Sequence, residues 1–322
     1  MKKLFSAVLT LLLIALCLPV SACSDGADFT LKEENGEKYY SVKIFSAGGD
    51  FVIPAYYGEG EEKAPVKEIE KEGFAGTSAT KITVPATVEK IGVAAFAYNN
   101  YLKQVVFEEG SSLKEIPRGA FGYCRALEKV NIPDGVKSIG VLAFIECGKL
   151  KDVNMPASLE SIGDRAFESC LSLSSADFKT ALKSIGDFAF YRTALTEIKI
   201  PDGAEEIGRS AFHTCEKLET AVIGAKVKVL KSGVFGYCIS LKEIYLPAGL
   251  EKIEGAYYKD GALETGHAFH SDKALQDVFF AGSEEDWEKV VIVSDPVTES
   301  SATFDNSAIF NAAKHFSAAY GF

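Results

Sequence analysis

The chain has 322 residues, 47% of them hydrophobic and 25% charged, with 34 Lys plus Arg against 45 Asp plus Glu and a net charge of −11. The length allows one or two ordinary domains. The acidic balance argues against nucleic acid as a partner and against an unaided electrostatic hold on anionic lipid.

Residues 1–22 read as a signal peptide. Lys2 and Lys3 form a basic start, Leu4 to Leu18 an apolar run, and Val20-Ser21-Ala22-Cys23 a small-residue cleavage site ending in Cys. An ordinary secretion signal with an incidental Cys is the plainer reading. The tetrapeptide, however, is similar to the bacterial lipobox, which implies that Cys23 becomes the diacylglycerol-bearing first residue, tethered by Ser24-Asp25-Gly26. Cleavage removes two lysines and leaves a charge of about −13. No other run reaches the ~18 apolar residues that a membrane span needs.

Residues 23–56 are expected to form the tether and an N-terminal β-hairpin cap. Phe29-x-Leu31, Asn35-Gly36 and Tyr39-x-x-Val42-x-Ile44 predict two strands around an Asn-Gly turn, and Gly48 to Pro54 a first repeat-like strand. Gly58 to Lys63 is a charged loop.

From 57 to 281 one phrase recurs. Leu127-x-x-Val130-x-Ile132-Pro133-x-x-Val136-x-x-Ile139-Gly140-x-x-Ala143-Phe144-x-x-Cys147 returns 23 residues later from Leu150 to Cys170. The phenylalanine beat falls at Phe74, Phe96, Phe121, Phe144, Phe167, Phe190, Phe212, Phe235 and Phe269, in steps of 22, 25, 23, 23, 23, 22, 23 and 34. A fixed period of this length marks a solenoid, in which each unit buries its core only against its neighbours. L-x-x-V-x-I predicts a strand with alternate side chains inward, followed by a return that turns at glycine and buries one aromatic per coil.

Five cysteines, Cys124, Cys147, Cys170, Cys215 and Cys238, stand three residues after a repeat Phe. One per coil, they form a ladder of parallel side chains rather than facing pairs, so they read as small buried packing groups; they also lack the paired spacing of a zinc site.

This pattern resembles the BspA-type leucine-rich repeat family over roughly residues 50–280. The resemblance implies a repeat solenoid: a right-handed α/β coil, mainly β with short helical or 3-10 return turns, a parallel sheet on one face, an N-terminal hairpin cap and a Trp-containing C-terminal cap. Departures are local: Thr193 stands where a Cys would, Gly224 where a Pro would, and residues 254–268 interrupt the last coil.

Between the inward positions each strand projects outward residues: Lys81 and Thr83, Gln104 and Val106, Lys129 and Asn131, Asp152 and Asn154, Ser175 and Asp177, Glu197 and Lys199, Thr220 and Val222, Glu243 and Tyr245, Asp277 and Phe279. Nine strands at about 4.8 Å spacing make a face about 40 Å long, the largest repeated surface. It is a candidate partner-binding face, or simply a row of solvated positions. The insertion carries Tyr257 and Tyr258, which either cover the coil or, with Trp287, offer an alternative aromatic surface for a sugar or peptide.

Residues 282–322 are expected to cap the C-terminal end. Ser283 with Asp286 predicts a short helix carrying Trp287, and Ala308-Ile309-Phe310 a final strand.

Catalytic signatures are missing: no G-x-S-x-G, no H-E-x-x-H and no phosphate loop occurs. His267 and His270, near Asp260 or Asp272, are a weak metal pattern, and His213 reads as a surface position. No cofactor, metal or enzymatic activity is expected. The resemblance implies a lipid-anchored adhesion or binding protein at a bacterial surface, taking an extracellular or host protein or glycan on the strand face. A sugar- or peptide-capturing lipoprotein is the second reading, and a hydrolase built on the insertion the third.

Overall fold

The computed structural model describes residues 26–259, 262–293 and 306–317, so the expected signal peptide and Cys23 lie outside the described residues. A typical coil has a short front strand, a two-residue back strand and a return through successive turns. In one coil these are Lys129–Asn131, Ser138–Ile139 and residues 141–149. Front strands pair in parallel, Lys129 with Asp152, Val130 with Val153 and Asn131 with Asn154. Back strands do the same, Ser138 with Ser161 and Ile139 with Ile162. Residues one period apart in the sequence are therefore neighbours in space.

The nine beat phenylalanines are fully buried and stack along the axis, with centroids 5.0 Å apart for Phe96–Phe121 and for Phe144–Phe167. The return that carries them alternates two kinds of hydrogen bond. Leu142, Phe144 and Glu146 donate their amides to the carbonyls of Asp164, Ala166 and Glu168 in the next coil, while Ala143, Ile145 and Cys147 donate three residues back within their own. Every amide is thus satisfied in a segment without regular structure. The bonds to the third residue back have 3-10 spacing. Left-handed residues on either side of the Phe, here Leu142 (φ 61°) and Glu146 (φ 58°), keep the turns from propagating into a helix.

The glycine after most of the repeat isoleucines was expected to serve the turn. Its φ is ordinary, and its role is close approach. A Cβ at Gly140 would lie 2.7 Å from the Arg118 nitrogen, and one at Gly163 2.6 Å from the Val141 nitrogen, both in the preceding coil.

The front strands form two five-stranded parallel sheets rather than one row of nine. One runs from Gly48–Val52 to Asp152–Asn154, the other from Glu197–Lys199 to Ala313–Phe316. Residues 174–178 between them are irregular. There the inward Ala176 is flanked by Ser175 and Asp177, poor strand formers, whereas the equally small inward Ala221 keeps its strand between Thr220 and Val222, which favour extended structure.

Both ends are covered twice. The hairpin Ala27–Glu34 and Glu37–Ile44, turning at Asn35-Gly36, lays its second strand beside Ala64–Ile69 on the back, and Gly48–Val52 covers the front. At the other end Val291–Ile292 pairs with Lys252–Ile253 on the back and Ala313–Phe316 with Asp277–Phe280 on the front. The final strand thus falls later than expected: Ala308, Ile309 and Phe310 belong to a helix, Ser307–Asn311, whose Ile309 plugs the core.

Candidate binding face

Strand register arranges the outward residues in two rows. In one row Lys81, Gln104, Lys129 and Asp152 follow one another, then Glu197, Thr220, Glu243 and Asp277. In the other, Thr83 lies beside Val106 and Asn131 beside Asn154, then Lys199, Val222, Tyr245 and Phe279 run on. The buried residue between each pair, such as Val130 or Ile244, fixes which way they point. Ser175 and Asp177 are exposed but lie on the irregular stretch, where Asp177 pairs with Lys179, so they interrupt the rows instead of continuing them. Val222 is buried, between Lys199 and Tyr245.

The two halves differ in chemistry. The N-terminal half shows amides and compensating charges; Asn154 reaches the Ile132 carbonyl at 3.4 Å. The C-terminal half is acidic and aromatic. Tyr245 stacks on Phe279 at 4.4 Å, and Phe279 on His315 at 4.6 Å. The Tyr245 hydroxyl donates to Glu243 at 3.3 Å, His315 Nε2 lies 2.7 Å from Asp277 Oδ1, and Lys199 pairs with Glu197 at 3.1 Å. His315 escaped the sequence reading because its strand lies beyond the last repeat, with no Phe beat to mark its register.

The alternative aromatic set takes separate partners. Tyr257 lies on the hairpin Tyr257–Lys259 and Ala262–Thr265, with the Arg209 guanidinium 4.3 Å from its ring centre. The side chain of Tyr258 lies outside the described residues. Trp287 sits on the helix Glu284–Trp287, which Ser283 and Asp286 close with a reciprocal capping box, and meets Phe280 edge-on at 5.3 Å. At the hairpin end, a cleft of about 620 Å³ is lined by Glu34, Glu37, Glu89, Lys67 and Lys90 among others. Its charges are largely spent on each other: Lys67 bridges Glu37 and Glu89, and Lys90 pairs with Glu68.

The remaining chemistry-bearing side chains are interior. All five repeat cysteines are buried and unpaired, and each donates its thiol to the carbonyl of the previous coil's Phe, from Cys124 to Phe96 at 3.0 Å through Cys238 to Phe212 at 3.2 Å. His267 and His270 are buried. Asp260 lies outside the described residues, and among the described residues no group of three or more His, Cys, Asp or Glu is placed to hold a metal. His213 is not a free surface position: it packs among Tyr191, Tyr237 and His270, and burial, with His270 beside it, lowers its pKa to about 4. Among the described residues no helix is long and apolar enough to cross a membrane.

Stacked coils of one front strand and one turned return, with a Phe spine and parallel pairing throughout, define a leucine-rich-repeat solenoid. The chain belongs to the BspA-type leucine-rich repeat family, whose sequence model matches in six copies over residues 67–183 and 160–285. Among solved structures, a leucine-rich cell surface protein of Faecalibacterium prausnitzii is 22% identical over 84% of this chain and 97% of its own, with a TM-score of 0.38. A leucine-rich repeat protein of Bacteroides ovatus is 22% identical over 91% and 98%, with a TM-score of 0.39. The pneumococcal vaccine antigen PcpA is 18% identical over 85% and 98%, with a TM-score of 0.38. No curated protein matches the chain.

Proposed function

We propose that this is a non-enzymatic binding protein, displayed outside the bacterial cytoplasmic membrane on a lipid attached to Cys23, that holds an extracellular protein or glycan on the strand face of its solenoid. The observation that carries this reading is the pair of outward rows, in register within each of the two front sheets and ending in the Tyr245–Phe279–His315 stack. Membership of a family associated with surface attachment supports it, as does the leader ending at Cys23. Fold alone does not fix function, so the weight rests on the face.

The test is capture of extracellular proteins and glycans on immobilised protein, comparing the unaltered chain with Asn131→Trp, Asn154→Trp and Phe279→Ala. Loss of the captured species at unchanged thermal stability is expected, and undiminished capture by all three variants would remove the strand face from consideration. Cys23→Ser should move the protein from the membrane fraction to the soluble extracytoplasmic fraction.

A further inference from the structure

A second surface, on the return side of the solenoid, carries aromatic rings that neither the core nor the strand face uses. Tyr98 and Tyr101 are 57% and 63% exposed, and Val93 of the same coil 42%. Tyr98 occupies the position two residues after its beat Phe. The same position in later coils holds Tyr123, then the polar Glu146, Ser169, Arg192 and Thr214, then Tyr237, packed against His213 and His270, and Ser271. Tyr98 and Tyr123 stack face to face at 4.9 Å with planes 3° apart.

The coil before Tyr98 has Gly76 at this position. The Gly76 amide donates to the Ala97 carbonyl, as the Tyr98 amide does to the Gly122 carbonyl, so the three residues follow one another along the axis. Tyr123 therefore covers one face of the Tyr98 ring, and the other face looks toward a residue without a side chain. A Cβ at Gly76 would meet nothing within 4 Å. The result is an aromatic ring braced from behind, with its free face over open space.

We propose that the Tyr98 face is a carbohydrate-binding platform, taking one sugar ring of a glycan by its apolar C–H side. The negative face of the phenol ring attracts polarised C–H groups much as it attracts cations, while the sugar hydroxyls stay in water. Two exposed rings, Tyr98 and Tyr101, interleaved with the exposed amide of Asn100 and with exposed Glu72 four residues before Gly76, match stacking faces among polar groups for a sugar better than the continuous apolar core of a protein interface. This surface is separate from the strand face and does not rest on the reading given for it.

The experiment titrates the mature chain with tetrasaccharides of glucose, of N-acetylglucosamine and of mannose, by calorimetry and by NMR of the tyrosine ring protons. At least one sugar should bind and shift the Tyr98 ring resonances. Tyr98→Phe, which keeps the ring, should bind as before, and Tyr98→Ala should weaken binding about tenfold. Gly76→Asn, a residue that tolerates the left-handed backbone at this position (φ 69°), places a side chain over the open face and should weaken binding similarly. Leu171→Ala, which removes an exposed side chain in the coil of Phe167, should leave it unchanged. Binding of none of the three sugars overturns the proposal, as does undiminished binding by Tyr98→Ala; should that variant fail to fold, undiminished binding by Gly76→Asn overturns it instead.

Discussion

The Phe269 amide donates to Asn306 Oδ1 at 3.2 Å, and so a side chain ends a series that backbone carbonyls carry everywhere else. Phe144 donates to Ala166, Phe167 to Ala189 and Phe235 to Ala268, each one coil ahead. Phe269 has no further coil of this kind. Asn306, fully buried, supplies the missing acceptor and also donates to the carbonyls of Glu254 and Val293.

Removing that plug should loosen the C-terminal end. Asn306→Ala strands one amide and two carbonyls in a dry site, at a cost of about 1–3 kcal/mol for a buried group left unpaired. Hydrogen exchange should show faster opening of residues 262–293, while the Phe121 and Phe144 amides, several coils away, keep their protection. Uniform loss of protection along the whole solenoid would contradict this local role.

The cysteine ladder is a second row of donors, and its thiols should be inert. Burial pushes the Cys124 thiol up to about 12 and the Cys215 thiol to about 11, and raises Cys147, Cys170 and Cys238 as well. At pH 8 a maleimide should label none of the five in the folded protein and all five in denaturant. Cys147→Ser, which keeps a donor for the Phe121 carbonyl, should cost less stability than Cys147→Val, which removes it.

The coil path was legible in the sequence because stacking turns a period into contacts. A residue that must fit between identical neighbours repeats, and Phe121, Phe144 and Phe167 reveal themselves by repeating. The N-terminal hairpin was legible through Asn35-Gly36. Features that depend on breaking the period were not. His315, Asn306 and the helix at Ser307–Asn311 lie beyond the last beat, and the gap arises where Ser175 and Asp177, poor strand formers, flank the inward Ala176. Asp272 could have been found: it stands three residues after Phe269, the cysteine position, and counting that position through every coil exposes the substitution.

The glycines separate two roles that look alike in sequence. Gly163→Ala would force a Cβ to within 2.6 Å of the preceding coil's backbone, which cannot yield without parting two coils. A loss of about 1–3 kcal/mol, typical of overpacking, is expected. A Cβ at Gly148, in the same region, would meet nothing within 4 Å, so Gly148→Ala should change stability by no more than about 0.5 kcal/mol. Thermal unfolding of the two variants checks the contrast, and equal losses would show that coil spacing is not what selects glycine after the repeat Ile.

Asp272 makes the last coil sensitive to pH. In other coils its position holds Thr77 or Thr193, Asn99, which donates to the Phe74 carbonyl at 2.7 Å, or a cysteine that donates likewise. Asp272 is 1% exposed, neither carboxyl oxygen is matched with a donor, and burial raises its pKa well above the usual carboxylate value, with only the Cys238 backbone opposing the shift. A carboxyl group can act as a donor here only while it keeps its proton. The folded protein therefore holds that proton at pH values where the unfolded chain has lost it. The contribution of Asp272 is fully present below about pH 4, the unfolded carboxylate value, and is lost as pH rises toward the folded one. Asp272→Asn, a permanent donor, should match the unaltered protein near pH 4 and exceed it by about 1–3 kcal/mol at pH 7. Denaturant unfolding at the two pH values measures this. A variant less stable than the parent at pH 7 would mean that Asp272 is held ionised by a partner, and that the donor series ends at Cys238.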